Sequence, residues 1–341
     1  MFGGLALFLY GMEKMSTGLK RTAGNRMRSI LAALTKNRIV AMFVGAFITM
    51  VIQSSSATTV MLVSFVQAGL MTFVQSMGVI LGADIGTTIT AQLIAFKLTD
   101  YALLMIAIGF SLHMFGKRDI TKNVGDVILG FGILFFGMKL MSDAMQPLRT
   151  YPVFIDIMRE MENPFLGILI GALFTALVQS SSATTGVVIV LAQQGFLTLD
   201  AGIPLVFGAN IGTCITAGLA SIGTSREAKR VALAHVLFKL AGVLIFIFWI
   251  PVFADFIRML AERFDSGTAR QIANAHTIFN VALALIFLPF TQHFSRLIFK
   301  LLPLEEKPKD VTMTTKYLDE ESISTPAVAL DLARAEVSRM A

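Results

Sequence analysis

The segment Gln53–Thr59 (QSSSATT) places three serines and two threonines inside a long apolar run, in which Asp84 is the only charged residue between Ile39 and Phe96. Hydroxyl groups and the free N–H groups at the start of a helix are donors that suit an oxyanion. Lipid cannot satisfy the backbone groups that such a break frees, so the break must be buried in protein or line a wet cavity. The same seven residues return at Gln179–Thr185. The two segments are therefore the first candidates for an anion-binding site.

The duplication extends well beyond these seven residues. Gly45–Val60 and Gly171–Gly186 share ten of sixteen residues, and GADIGT at Gly82–Thr87 returns as GANIGT at Gly208–Thr213. All of these matches have the same offset of 126 positions. The chain is therefore two copies of one unit.

The composition is typical of a protein with several membrane-spanning helices, because 55% of the residues are hydrophobic, 15% are charged and the mean hydropathy is +0.74. The net charge of +6 would favour nucleic acid in a soluble protein. Here the cations cluster between apolar runs, as in cytoplasmic loops, so we expect a lipid bilayer and no nucleic acid as partners. Cys214 is the single cysteine and the four histidines form no metal-ligand cluster, so we expect no cofactor. No Walker motif is present, which argues against ATP-driven transport, and we expect no enzyme activity.

The positive charges also predict the topology. A first span over Phe2–Leu19 lacks the features of a cleaved signal peptide, and the densest cationic loop, Lys20–Arg38, follows it. We expect this loop in the cytoplasm, with Thr22–Leu34 as a helix on the membrane surface. The N-terminus then lies outside the cell inner (plasma) membrane, and alternation of the later cationic loops places the C-terminus in the cytoplasm.

Each QSSS segment divides a longer apolar stretch, Ile39–Leu70 or Phe165–Gly195, into two limbs. A limb of about 14 residues reaches only about 21 Å, which is short of the roughly 30 Å hydrocarbon core. The stretch is either one long broken span or a re-entrant hairpin. The hairpin is favoured, because a straight crossing would place Lys117 and Arg118 outside.

We therefore predict an all-α polytopic membrane protein of two inverted-topology repeats, each with a re-entrant helical hairpin and a broken transmembrane helix. Residues 1–123 form the first transmembrane repeat, 124–253 the second, and 254–302 the final transmembrane region. Residues 303–341 form a cytoplasmic linker and a short amphipathic helix, which Ser324-Thr325-Pro326 begins.

The limb that follows each break directs its first-turn N–H groups and its helix dipole at the hairpin tip, where an anion is favoured. The hydroxyls assigned to that anion are those of Ser54, Ser55, Ser56, Thr58, Ser180, Ser181, Ser182 and Thr184. A buried anion is costly to desolvate, so bound cations are a natural complement. The side-chain oxygens assigned to Na⁺ are those of Gln53, Gln179, Asp84, Thr87, Asn210 and Thr213.

Structural explanations stay open beside these assignments. Clusters of Ser and Thr often allow close helix packing, and the G-x-x-x-G spacing at Gly82–Gly86 and Gly208–Gly212 usually marks a packing face. The polar residues of the two GA-x-IGT motifs favour unwound segments that bind ions. We expect His235 and His276 to be buried hydrogen-bonding residues. Charged residues near span ends are expected to snorkel or pair: Glu13, Lys14, Lys139 and Asp143.

The doubled QSSS sequence, at Gln53–Ser56 and Gln179–Ser182, resembles the mark of the type II sodium–phosphate cotransporter family, over roughly Gly4–Leu302. The resemblance implies symport of inorganic phosphate inward by alternating access, with phosphate at the Ser/Thr tips and Na⁺ as the coupling ion. It also implies that the tail opens a PhoU-like domain, which sixteen residues cannot form, so we expect that domain to be truncated. A symporter of another small anion such as a dicarboxylate, a non-transporting sensor with a regulatory tail, and a homodimer stay open.

Overall fold

The structure is a computed structural model that describes residues 1–23, 37–96, 98–303 and 326–340. Within these ranges the regular structure is helical and no strand occurs, which confirms the predicted all-α class. The α-helices are Phe2–Ala23 (α1), Arg38–Ile52 (α2), Ser55–Gln67 (α3), Phe73–Ile94 (α4), Ala102–Phe115 (α5), Asp119–Met145 (α6), Pro152–Glu160 (α7), Pro164–Val178 (α8), Ser181–Gln193 (α9), Leu199–Gly212 (α10), Cys214–Ala220 (α11), Arg226–Ile247 (α12), Ile250–Phe264 (α13), Thr268–Leu301 (α14) and Pro326–Met340 (α15).

Five membrane-crossing segments are long and apolar enough in the described chain: α4, α6 with the 3₁₀ turn after it, α10 with α11, α12, and α14. The pair α7 and α8, bent by 99° between them, makes a sixth if it is counted as one span. The protein is therefore a multi-pass membrane protein. Helix α1 is 22 residues long but is not among these spans. Glu13 and Lys14 interrupt its apolar run, and it packs along α6.

Helices α1 and α6 are equivalent helices of the two repeats, and they pack antiparallel through glycines. A Cβ added to Gly137 would lie 2.6 Å from the carbonyl oxygen of Gly4, and one added to Gly11 would lie 2.6 Å from that of Gly130. These two contacts exchange when the repeats are exchanged, since Gly4 matches Gly130 and Gly11 matches Gly137. Two equivalent helices that run antiparallel in contact are what an inverted repeat requires, although the inverted relation of the whole repeats stays a prediction.

Both QSSS segments join two short helices, α2 to α3 and α8 to α9. Helices α2 and α8 have 15 residues each, so each is about 22 Å long and shorter than the hydrocarbon core. This confirms the predicted division of each stretch into two short limbs. The side of the membrane from which each hairpin enters stays a prediction.

The helix that follows each hairpin packs against its first limb through glycines. A Cβ on Gly82 would lie 1.8 Å from the carbonyl oxygen of Met42, and a Cβ on Gly208 would lie 2.1 Å from that of Ile168. Any larger residue at either position would push the two backbones apart. The G-x-x-x-G spacing is therefore a helix-packing face in both repeats, as its usual role predicts.

Only the second of the two GA-x-IGT motifs has a helix interruption, and it is limited to Thr213, whose backbone angles (φ −65°, ψ −19°) stay in the right-handed helical region. Helix α4 is continuous through Gly82–Thr87, whereas the second copy is interrupted at Thr213, between α10 and α11. The expectation of an unwound segment was wrong for the first repeat. The glycines of this motif allow α2 to approach closely, and α4 remains a regular helix there.

Two segments with the many charged residues typical of loops are partly helical. Residues Gln146–Asn163 contain a 3₁₀ turn and the helix α7, and Phe154 of α7 packs edge-on against Phe196. The segment after α12 is largely the helix α13, in which Arg258 pairs with Asp200 and Asp255. Most of the predicted surface helix Thr22–Leu34 lies outside the described residues.

The chain divides into two compact units, Met1–Pro303 and Leu304–Ala341. All of the helices from α1 to α14 belong to the first unit. In the second unit the described part is the helix α15, on which the apolar side chains of Leu330 and Val337 are exposed. The cap residues Ser324 and Thr325 lie outside the described residues.

Candidate functional site

The two QSSS breaks have the same backbone geometry. Gln53 (φ 60°, ψ 26°) and Gln179 (φ 56°, ψ 27°) end α2 and α8 in the left-handed conformation. Among described non-glycine residues, Asp265 is the only other one with positive φ. Such a conformation costs on the order of 1–3 kcal/mol for a residue with a side chain, and it persists where the surroundings require it. Because the same strained conformation occurs at the matched residue of both repeats, the surrounding fold requires a helix break at this position.

Serine caps the second limb of each hairpin. The Ser54 hydroxyl oxygen accepts a hydrogen bond from the Ala57 N–H at 3.1 Å, and the Ser180 hydroxyl oxygen accepts one from the Ala183 N–H at 3.2 Å. These two hydroxyls therefore satisfy one amide of their own helix. Each retains a hydroxyl hydrogen that it can donate elsewhere.

The next two serines of each motif occupy the first helical turn, where backbone N–H groups lack acceptors within the helix. Ser55 and Ser56 begin α3, and Ser181 and Ser182 begin α9. All four residues are buried. Each tip thus combines first-turn amides, two small hydroxyl donors and the positive end of a helix dipole, a combination that suits an oxyanion.

The threonine assigned to the anion in each motif has a hydrogen bond within its hairpin, and its assignment to the anion stays a prediction. The hydroxyls of Thr58 and Thr49 are 2.9 Å apart, and the Thr175 hydroxyl donates to that of Thr184 at 2.7 Å. Both pairs join the second limb of a hairpin to the first. Thr58 and Thr184 therefore hold the limbs together and shape the tips from behind.

The glutamines that precede the serines differ between the repeats. Gln53 is buried, accepts a hydrogen bond from the Thr90 hydroxyl and donates one to the Met50 carbonyl. Gln179 is exposed. Thr216, which matches Thr90, has a buried hydroxyl that makes no hydrogen bond in the described structure. One tip is thus bonded to its neighbouring helix, and the other is not.

The residues assigned to Na⁺ in the two GA-x-IGT motifs meet a lysine that the sequence analysis missed. The Lys239 ammonium of α12 lies 2.7 Å from Oδ1 of Asp84 and donates a hydrogen bond to Oδ1 of Asn210, also at 2.7 Å. The hydroxyls of Thr87 and Thr213 bond to carbonyls of their own helices, those of Ala83 and Asn210. The signal that could have found Lys239 is its charge, since no other Asp, Glu, Lys or Arg lies in the apolar run Val231–Phe253.

The two histidines are buried as expected, but the expected hydrogen bonds of His235 are not found. Among the described residues, neither ring nitrogen of His235 has a hydrogen-bond partner, and its Nε2 lies 3.9 Å from Oδ1 of Asp84. Nδ1 of His276 also has no hydrogen-bond partner in this part of the chain. The expected pairing of Lys14 is confirmed by an ion pair with the buried Asp126, at 2.8 Å.

A cavity of about 160 Å³ lies behind the second hairpin, and its walls are almost entirely apolar. It offers an oxyanion few donors, so it does not compete with the tips as the anion site. A second cavity of about 280 Å³ has polar walls and contains both Lys139 and Asp143. These two side chains therefore face a polar recess.

Comparison with known proteins identifies the class. The profile of the Na⁺/Pi-cotransporter family matches residues 7–143 and again 148–288, so most of the chain is covered by two matches. The chain therefore belongs to the Na⁺/Pi-cotransporter family, which confirms the resemblance carried by the doubled QSSS motif. No solved structure matches the chain.

Three relatives illustrate the range of the family. The uncharacterized protein YqeW of Bacillus subtilis is 33% identical over 300 residues, which cover 88% of this chain and 96% of YqeW. YjbB of Escherichia coli, whose name proposes inorganic phosphate export, is 29% identical over 347 residues; the alignment covers this whole chain but 62% of YjbB. The human sodium-dependent phosphate transport protein 2B is 36% identical over 135 residues, 36% of this chain and 20% of that protein.

Proposed function

We propose that the protein is a secondary active transporter that couples the movement of inorganic phosphate to that of Na⁺. One observation carries the proposal: two hairpin tips of matching backbone geometry each present first-turn amides and buried serine hydroxyls. The family and the names of its sodium-dependent relatives supply the substrate and the ion.

Phosphate would bind between hydroxyl and amide donors rather than against fixed cations. Ser55 and Ser56 of one tip and Ser181 and Ser182 of the other are the proposed donors, with Ser54 and Ser180 as N-caps that can donate as well. Neutral donors can bind the anion and still release it readily, because no ion pair with a fixed cation must be broken for release. A wider dicarboxylate would call for an Arg clamp. The buried Arg230 does not supply one, since it bonds to Glu227 and to the Leu302 carbonyl at the end of α14.

Binding an anion with neutral donors leaves its charge uncompensated in a site of low dielectric. We propose that Na⁺ provides the compensation and that neutral oxygens bind it: the side chains of Gln53, Thr87, Gln179 and Thr213. Asp84 and Asn210 are not among these ligands, because the Lys239 ammonium already contacts both. Since Na⁺ and phosphate would stabilise each other, each ion should raise the affinity for the other by the same factor.

Alternating access is the proposed mode of transport. The antiparallel packing of the equivalent helices α1 and α6 supports an inverted relation between the repeats. In such an arrangement the inward-open and outward-open states are related, because each repeat adopts in one state the conformation that the other repeat has in the other state. The unequal hydrogen bonding of Gln53 and Gln179 supports the same idea, because it makes the two tips non-equivalent in one structure. Helix α4 contacts the second limbs of both hairpins, α3 and α9, and could relay a change between them.

Equilibrium binding of ³²P-phosphate to the purified protein tests the proposal. We expect Na⁺ to increase phosphate affinity relative to choline, and we expect phosphate to displace the label at lower concentration than sulfate or succinate does. Ser64→Ala is a matched control, because Ser64 lies on the same helix as Ser55 and its exposed hydroxyl bonds to the Val60 carbonyl. Equal phosphate affinity in Na⁺ and choline would contradict coupling, and preferential displacement by succinate would favour a dicarboxylate transporter.

A further inference from the structure

Helix α12 occupies a different place from its counterpart in the first repeat. Its counterpart, α5, packs mainly along α6. Helix α12 instead packs against α3 and α4 of the first repeat, against α10 and α11 of its own repeat, and against α14. It therefore contacts helices of both repeats, and Lys239 lies near its middle.

Lys239 joins matched residues of the two repeats. Its ammonium lies 2.7 Å from the carboxylate oxygen of Asp84 and 2.7 Å from the amide oxygen of Asn210, and all three residues are buried. Asp84 and Asn210 occupy the same position of the duplicated GA-x-IGT motif. A single cation is thus held by two oxygens from matched positions, one of a carboxylate and one of a neutral amide.

The ammonium takes the ligands that a bound Na⁺ would use. A carboxylate oxygen and an amide oxygen that converge on one buried point would form half of a Na⁺ site if the lysine were absent. With the lysine present, a Na⁺ bound to the same oxygens would lie beside another positive charge in a medium of low dielectric, which is strongly unfavourable. The Asp84 charge is already compensated, so no second cation is needed there.

We propose that Lys239 is a tethered cation that occupies the place of one coupling ion between the repeats. Asp84 and Asn210 then bind the ammonium instead of Na⁺, and the transported Na⁺ is left to the neutral oxygens near the tips. The inference refines the Na⁺ site of the proposed function and rests on it for its meaning in transport. Its structural part, the equivalence of the ammonium and a Na⁺, can be tested without transport.

Removal of the ammonium should create a Na⁺ site. In Lys239→Met the buried Asp84 loses the ammonium and keeps only His235 nearby, at 3.9 Å, so we expect a lower unfolding midpoint in choline chloride and a rise of several degrees when Na⁺ replaces choline. In the double variant Asp84→Asn/Lys239→Met both charges are gone, and Na⁺ should stabilise it no more than it stabilises the wild type. Lys229→Met is the matched control, because Lys229 is exposed on the same helix.

The thermal unfolding of these four proteins in choline, K⁺ and Na⁺ decides the inference. A Na⁺-specific stabilisation of Lys239→Met that exceeds the stabilisation of the other three proteins supports it. If Na⁺ stabilises Lys239→Met no more than the wild type or the double variant, Lys239 is a structural ion-pair partner and the inference is wrong. If Lys239→Met cannot be purified in any salt, the same comparison is made with Lys239→Gln, which keeps hydrogen-bond donors and removes the charge.

Transport supplies the second readout. The Na⁺ dependence of phosphate uptake should become steeper in Lys239→Met, with a Hill coefficient higher by up to one, and the double variant should return to the wild-type slope. An unchanged slope in a folded Lys239→Met that Na⁺ stabilises would overturn the assignment of this position to a coupling ion. A wild type without Na⁺-driven uptake would instead overturn the proposed function, and the unfolding experiment would still decide whether the ammonium stands in for Na⁺.

Discussion

The two hairpin tips have the same seven residues but different surroundings. Gln53 and Gln179 adopt nearly the same backbone angles, and both following serines cap their helices. The Gln53 side chain is nevertheless buried and bonded to Thr90, whereas Gln179 is exposed and the matching Thr216 hydroxyl has no partner among the described residues. Local sequence therefore determines the break itself, and the packing around each tip determines how its side chains are used.

This difference between the two tips suggests a structural basis for the proposed alternating access. Two identical tips in identical surroundings would have no means of being open on different sides at different times. Here one tip is bonded to the helix that follows it, and its copy lacks that bond. The orphaned Thr216 hydroxyl makes the unbonded state costly, by about 1–3 kcal/mol for an unsatisfied buried group. An exchange in which Gln179 bonds to Thr216 and Gln53 releases Thr90 is the expected counterpart state.

The largest expected effect is on topology, because the two repeats should face opposite sides. In a Cys214→Ala background, cysteines at the exposed positions Lys20 and Glu160 should react with a membrane-impermeant maleimide from opposite sides of the membrane. Intact and inverted vesicles give the two sides. Reaction of both positions from the same side would contradict the inverted repeats and would leave the tips related by sequence alone.

Anion binding should depend on both tips. Ser55→Ala and Ser181→Ala each remove a hydroxyl donor and leave the first-turn amides in place. A hydrogen bond to a charged group contributes about 1.5–3 kcal/mol, so phosphate affinity should fall roughly tenfold to a hundredfold in each variant. Equilibrium ³²P-phosphate binding measures this, with Ser64→Ala as the control. A large loss in one variant and none in the other would assign phosphate to a single tip.

Stability should distinguish the two glutamines. Gln53→Ala removes the acceptor of the buried Thr90 hydroxyl, so we expect a loss of about 1–3 kcal/mol in the free energy of unfolding. Gln179→Ala removes an exposed side chain, and we expect a change within about 0.5 kcal/mol. Denaturant unfolding in mixed micelles compares the two variants directly. Equal destabilisation would show that Gln179 also makes a stabilising bond in the micelle.

The smallest expected effect concerns backbone strain. Gln179→Gly relieves the positive φ without removing a buried contact, so stability should rise by up to about 1 kcal/mol, the strain relieved being partly offset by the entropy of glycine. Gln53→Gly relieves the same strain but loses the bond to Thr90, and it should therefore be less stable than Gln179→Gly. Thermal unfolding of both variants, side by side, tests the ordering. The reverse ordering would contradict the unequal bonding of the two tips.

Much of the fold could be predicted from the sequence, because small polar residues inside an apolar run mark a break wherever lipid surrounds it. The two short limbs at Gln53 and Gln179 and the glycine packing faces follow from such local patterns. The helix α7 was missed because its charged residues are typical of a loop as well as of an amphipathic surface helix. The continuity of α4 was missed because the glycines at Gly82 and Gly86 gave no indication of how closely α2 approaches.

The site could be predicted at its break but not at its centre. The role of Ser54 as an N-cap follows from its position, whereas the pairing of Asp84 with Lys239 joins residues that are distant in sequence and on different helices. Asn210 completes that contact from the other repeat, and no local pattern connects the three. The difference between Gln53 and Gln179 could not be predicted at all, because the two motifs are identical in sequence.

The most direct test of the central claim is phosphate uptake into proteoliposomes with an imposed Na⁺ gradient. With the wild type, an inward Na⁺ gradient should drive accumulation of ³²P-phosphate above its external concentration, and equal choline or K⁺ gradients should not. The double variant Ser55→Ala/Ser181→Ala should lose this accumulation, and Ser64→Ala should retain it. Accumulation that is independent of Na⁺, or that survives in the double variant, would contradict Na⁺-coupled transport of phosphate through the two tips.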